Sequence, residues 1–158
     1  MRQEPVFRIA EDADLPALAR LRWALKTEDQ QPSEGEAFAG FASAFAHHER
    51  ERRGAGEIVH WIAALEGAPV AAMSVALVRK LPAPDRSDAR WGYLTNCYVV
   101  PRYRNAGLGA GLLQAIQFWA KAEALEFLIV WPSARAASFY QRGGFSAPGD
   151  ALVWTPES

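Results

Sequence analysis

Arg102, Arg104, Gly107, Gly109 and Gly111 crowd into the run VVPRYRNAGLGAGLL, residues 99–113. Glycine weakens a helix start, so three of them at one need a reason. The first turn of a helix bares unpaired N–H groups and carries the positive end of the dipole, which together attract an anion. A phosphate must come close to those groups, and missing side chains let it. Arginine adds fixed charge whose planar geometry matches phosphate. The run therefore reads as a cradle for a pyrophosphate; a flexible surface turn ahead of a core helix is the plainer alternative.

Spacing excludes two other phosphate motifs. In G-x-G-x-x-G the last glycine would fall at Leu112, and no early βαβ unit surrounds the run. A P-loop needs G-x-x-x-x-G-K; five positions after Gly107 stands Leu112, with no lysine beside it.

The elements that must position the cradle follow from the rest of the chain. VFRIA is a first strand, and Asp12 or Asp14 can cap a helix whose first turn holds Pro16. Leu15, Leu18, Leu21 and Leu25 form its apolar face. After EDQQPSEGE, Phe38, Phe41 and Phe45 mark a second helix that ends in HHERERRG. EIVHWIAALEG and PVAAMSVALV read as a hairpin, and WGYLTNCYVV as a further strand closed by Pro101. The cradle then opens a helix reaching about residue 123, with Leu108, Leu112, Ile116 and Trp119 on one side and Gln114, Gln117 and Lys121 opposite. FLIVW is a strand apolar on both faces, SARAASFYQRGG a short helix, and ALVWT a closing strand. The order is β-α-α-β-β-β-α-β-α-β-β, an α/β fold with helices layered on a mixed sheet.

Bulk properties agree with one soluble domain over residues 1–158, its core at about 6–156. The 158 residues are half apolar, 22% charged, and carry a net charge of -1. That balance gives no pull toward nucleic acid or membrane. Cys97 is the one cysteine, which excludes an internal disulfide, and no Cys/His spacing suggests a metal. The first residues lack an apolar core of signal-peptide length and no run reaches membrane-spanning length, so a cytoplasmic location is expected.

Arg104-x-x-Gly107-x-Gly109 resembles the Q/R-x-x-G-x-G/A signature of the GCN5-related N-acetyltransferases. SARAASFYQRGGF is similar to that family's later motif, here Tyr140, Gly144 and Phe145. The element order over residues 6–156 resembles it too. The resemblance implies a mostly antiparallel central sheet and acetyl-CoA as co-substrate, without metal. Arg102, Arg104, Asn105, Ala106, Gly107, Leu108, Gly109 and Ala110 would hold its pyrophosphate, the main-chain amides from Arg104 onward directly. Tyr98, Val99 and Val100 would hydrogen-bond its pantetheine arm. The thioester would lie where the fourth and fifth strands splay, between NCYVV and LIVWP. Tyr140 would be the general acid. Ser133 stands where many relatives have a cofactor-contacting asparagine; it can cap the helix and still offer a hydroxyl.

The base is less plain. The resemblance implies a glutamate on the fourth strand, and WGYLTNCYVV has none. Alternation puts Leu94, Asn96 and Tyr98 on one face; Asn96 can position a water but takes no proton. His60 is a candidate base against a structural role, and a water wire to solvent is the preferred account. Cys97 reads as a small apolar strand residue, so direct transfer in a ternary complex is expected. EDQQPSEGE can attract a cationic amine or be simply solvated, and Trp23, Trp61, Trp91 and Trp131 can line a pocket or the core. HHERERR reads as a solvated helix end. The acceptor expected is a primary amine of a small molecule, with a peptide N-terminus or lysine as the other substrate class. A sensor or regulatory module that holds acyl-CoA without turnover is the alternative function, and a homodimer, common in the family, is an open partner.

Overall fold

The computed structural model describes residues 3–30 and 35–156. Strand β1 (Val6–Ile9) leads through a single turn at Asp12–Asp14 into α1 (Leu15–Thr27), followed by α2 (Glu36–Gly54). Strands β2 (Ile58–Leu65), β3 (Ala68–Arg79) and β4 (Arg90–Val99) come next, then α3 (Leu108–Ala122), β5 (Leu128–Val130) and α4 (Ala137–Arg142). The sheet order is β1-β2-β3-β4-β5, antiparallel except for the parallel β4–β5 pair. This is the expected mixed, mostly antiparallel sheet between helices. Glu66 and Gly67 both take positive φ, which suits the tight β2–β3 hairpin.

Two apolar clusters cover the two faces of the sheet. Leu15, Leu18 and Leu21 of α1 pack with Ile62, Ala72 and Tyr98 on one. Leu108, Leu112, Leu113 and Ile116 of α3 pack with Met73, Val75, Leu94 and Tyr140 on the other. Each fully buried aliphatic side chain contributes about 1.5–3 kcal/mol, so these stripes fix which helix lies on which face.

The closing strand pair expected after α4 is not formed. Residues 146–156 carry no strand, and Leu152 and Trp154 are 98% and 83% exposed. ALVWT has strand composition, but β propensity is realised only against a partner. The neighbouring β5 is three residues long, and Pro148 and Pro156 bracket the segment.

Asp14 ties β1 to the start of α1. Its carboxylate accepts from Arg8 Nη1 at 2.7 Å and Nη2 at 3.0 Å, and from the Glu11 N–H at 2.8 Å. The Arg8 hydrogen bonds, working against burial, hold the carboxyl below its usual range. A depressed acid stabilises the fold above its unfolded titration, about pH 4, and loses that contribution as pH falls through the lower folded value. Asp14→Asn is expected to cost ~1 kcal/mol at neutral pH, Arg8 being part-exposed. Urea midpoints of this variant should fall less than wild type's on acidification below about pH 4.

Gly111 sets how closely α3 lies on β1. A Cβ there would stand 2.2 Å from Phe7 Cζ. Alanine would ordinarily favour a helix interior; here Gly111→Ala is expected to destabilise by about 1–3 kcal/mol through overpacking. Chemical denaturation measures it, and trimming Phe7 to leucine in the same chain should recover part of the loss.

Candidate active site

The site begins where β4 parts from β5. The two strands pair only from Gly92↔Leu128 to Leu94↔Val130, whereas β4 stays paired with β3 as far as Val99. Between Ser74↔Thr95 and Ala72↔Tyr98, β4 holds one residue more than β3. The extra residue is absorbed near Asn96, whose φ is 58°, a conformation asparagine tolerates better than most residues. The bulge reverses the strand's alternation. Leu94 lies in the α3 cluster and Tyr98 in the α1 cluster, so the expected common face for Leu94, Asn96 and Tyr98 does not exist.

Just beyond β4 the chain turns at Pro101–Tyr103 and enters α3. Asn105 and Gly107 have φ of 59° and 83°, and Gly107 is the N-cap residue. The first amide with a helical acceptor is Gly111, to Gly107 O at 2.9 Å. The amides of Leu108, Gly109 and Ala110 thus belong to the open first turn. Asn105, Ala106, Gly107 and Ala110 are exposed. A Cβ on Gly107 would meet nothing within 4 Å, so this glycine serves the left-handed turn. The other two serve packing as well: a Cβ on Gly109 would lie 3.3 Å from Phe139, and Gly111 accommodates Phe7. An open helix start with exposed donors fits a diphosphate such as that of coenzyme A.

Arg104 is differently employed. Its amide donates to Pro101 O at 3.1 Å. Its side chain donates from Nε to Val99 O at 2.9 Å, pairs through Nη2 with Glu28, and lies over the Tyr98 ring. The Val100 N–H points to β3, donating to Val70 O at 3.0 Å, so the preceding carbonyl, Val99's, faces the splay. Arg104 therefore covers a main-chain acceptor in the gap. Arg102 is exposed, its guanidinium over the Tyr103 ring. Glu28, part of the acidic connection, is neutralised by Arg104; residues 31–34 of that connection lie outside the described residues.

On the α3 face, Tyr140 is 5% exposed and clusters with Cys97, Val99 and Val130 at the splay. Phe139 and Phe145 meet its ring edge-on at 4.9 and 5.6 Å. Burial, with Cys97 adjacent, pushes the hydroxyl far above its ordinary value, so it keeps its proton at neutral pH. Burial likewise raises the Cys97 thiol, which suits an inert strand residue. Gln117 Nε2 donates to Gly143 O at 2.7 Å and anchors α4 on α3, so Gln117 is not on a purely solvated side. Ser133 is exposed; its carbonyl, not its hydroxyl, accepts from the Ala136 and Ala137 amides, and α4 starts only at Ala137.

The α1 face holds a polar chain. Arg22 Nη1 donates to Asn96 Oδ1 at 3.4 Å, and Asn96 Nδ2 donates to Ser74 Oγ at 3.2 Å. Ser74 Oγ lies 2.7 Å from His60 Nδ1, and His60 Nε2 lies 3.2 Å from Glu49 Oε2. His60, Ser74 and Glu49 are all buried. Two sequence candidates, Asn96 and His60, are joined here by Ser74 and Glu49, which sequence reasoning passed over. Glu49 belongs to the run that reads as a solvated helix end, yet it continues the stripe of Phe38, Phe41 and Phe45 by one more turn; that period is the signal for it. Burial raises its carboxyl, but His60, Arg52 and His48 outweigh burial and hold it below the usual range.

Of the tryptophans, Trp61 is core, against Trp119, and Trp23 packs on Phe38 and Phe41 between α1 and α2. Trp91 stacks on Phe127, and Trp131 meets Tyr93 edge-on while 60% exposed just after β5. Among the described residues there is no group of three or more His, Cys, Asp or Glu able to hold a metal, and no helix long and apolar enough to cross a membrane.

Comparison with known proteins agrees with this fold. A predicted acetyltransferase from Clostridium acetobutylicum, solved with acetyl-CoA, is similar at 22% identity and TM-score 0.73, covering 96% of each chain. A GCN5-related N-acetyltransferase from Ralstonia eutropha is similar at 22% identity and TM-score 0.72, covering 96% of this chain and 99% of that one. Glucosamine-6-phosphate N-acetyltransferase from Arabidopsis thaliana shares 18% identity and a TM-score of 0.72, covering 98% and 99%. No curated protein matches the chain. Residues 15–145 match the acetyltransferase (GNAT) family, and the chain belongs to that family.

Proposed function

We propose that the chain acetylates a primary amine of a small molecule by direct attack in a ternary complex. The observation that carries this reading is the adjacency of an open helix start to a splayed strand pair with a buried, protonated tyrosine at the split. The similar Arabidopsis protein is named for a small amino sugar.

Acetyl-CoA supplies an acyl group activated as a thioester. The main chain of Asn105, Ala106, Gly107, Leu108, Gly109 and Ala110 holds the diphosphate against the positive end of the α3 dipole. The Val99 main chain, freed of Arg104 Nε, offers hydrogen bonds along the gap, flanked by Tyr98 and Val100. Tyr140 Oη holds its proton until negative charge develops on the departing sulfur, then gives it up. Cys97 takes no covalent part, its thiolate being disfavoured by burial.

Tyr140→Phe is expected to lower kcat by about 10²-fold while leaving coenzyme A affinity unchanged, since it removes only the proton donor. Steady-state assays of thiol release across an amine panel, with calorimetry on coenzyme A, measure both; an unchanged kcat removes Tyr140 from the mechanism. Ala110→Glu separates the cradle from helix stability. An acid in the first turn complements the dipole and should leave thermal stability equal or higher, yet it repels a diphosphate. Coenzyme A affinity is expected to fall at least about tenfold, roughly the effect of one like charge at close range in a partly screened site; wild-type affinity would contradict the cradle.

A further inference from the structure

We propose that Glu49 and His60, acting through Ser74, form the relay that takes up the proton released by the acceptor amine. This rests on the acetyl-transfer reading above and supplies the base that β4 lacks.

Donors and acceptors along the polar chain point one way. Arg22 is a donor only, and ionised Glu49 an acceptor only. Asn96 accepts from Arg22 through Oδ1 and donates to Ser74 through Nδ2. Ser74 then has its hydroxyl hydrogen to give, and His60 Nδ1 lies 2.7 Å away. With His60 as the neutral imidazole, acceptance at Nδ1 places its proton on Nε2, facing Glu49 Oε2 at 3.2 Å. The other neutral tautomer would set an imidazole lone pair against a carboxylate. The chain thus leads from a cation to an anion, with His60 poised to gain a second proton and Glu49 placed to stabilise it.

Position gives the relay its role. Ser74 pairs with Thr95 beside the bulge, where β4 leaves β5. Asn96, the half-buried member, stands at the split and donates to Ser74, which is 1% exposed, so the substrate's proton reaches Ser74 Oγ only where the Asn96 side chain gives way. The relay lies on the α1 face and Tyr140 on the α3 face, so base and acid serve the two sides of one strand. At the far end, Glu49 Oε1 lies 3.5 Å from His48 Nδ1, and the His48 side chain is 67% exposed, an outlet to solvent.

The step balances. The amine nitrogen bonds to the acetyl carbon, the carbon–sulfur bond breaks, and its electron pair leaves on sulfur, which takes the Tyr140 proton. The surplus proton on nitrogen passes to Ser74 Oγ as the Ser74 hydrogen passes to His60 Nδ1. The imidazolium returns its proton to solvent, and Tyr140 regains one. The charged and titratable groups facing His60 are Glu49, with His48 and Arg52 on α2 behind it, and Arg22 on α1 through Asn96; Phe45 covers the ring.

Ser74→Ala is expected to lower kcat about 10²-fold with coenzyme A affinity unchanged, and Ser74→Thr, which keeps the hydroxyl, to recover most of it. Glu49→Gln is expected to lower the plateau of kcat, because a protonated imidazole loses its anion. Imidazole ¹⁵N spectra of the wild-type protein should show His60 protonated on Nε2 and bare on Nδ1. Folded variants with wild-type kcat, or a proton on Nδ1, overturn the relay while transfer itself stands. A wild-type protein that turns over no amine overturns both.

Discussion

One extra residue in β4 determines much of the site. Where the strand bulges at Asn96, it keeps its ladder with β3 and gives up its partner on the other side. A strand edge with free hydrogen-bonding groups is a liability unless something pairs it. The gap ends in α3, whose first three amides are also without helical acceptors. The fold thus leaves the end of β4 without a strand partner, its Val99 carbonyl held only by the Arg104 side chain, next to a helix start whose amides are open. An extended ligand with an anionic end satisfies both.

The same bulge divides the chemistry between faces. Cys97 and Tyr140 lie on the α3 side, in an apolar setting that keeps a phenol neutral. Asn96, Ser74, His60 and Glu49 lie on the α1 side, in a polar chain that can accept positive charge. A thioester attacked by an amine needs a proton removed at nitrogen and another delivered at sulfur. A bulged strand between two differently built faces keeps those two transfers apart.

Much of this was legible in the sequence, because it depends on periodic patterns. The leucines of α1, the apolar face of α3 and the continuous run of β5 announce their elements, and the glycine-rich turn announces the open helix start. Tyr140 follows from its motif. What escaped notice depends on contacts between distant residues. Gly111 looks like part of the cradle and proves to be the space that Phe7 fills. Arg104 looks like a phosphate ligand, yet its side chain reaches Glu28, 76 positions away. Glu49 sits in a charged run and points inward, because helical period, not local composition, decides which face a residue takes. The bulge had one local sign, an asparagine inside a strand, and strict alternation hid it. ALVWT shows the converse: composition promised a strand, and beside a β5 of only three residues none forms.

The central claim is that open main-chain groups at the end of β4 and the start of α3 grip a coenzyme A thioester. Amide hydrogen exchange with and without acetyl-CoA tests it most directly. The account predicts new protection concentrated at Val99 and at residues 105–110, with the interior of the sheet little changed. Binding that protects a different surface and leaves these amides exchanging as before would contradict it.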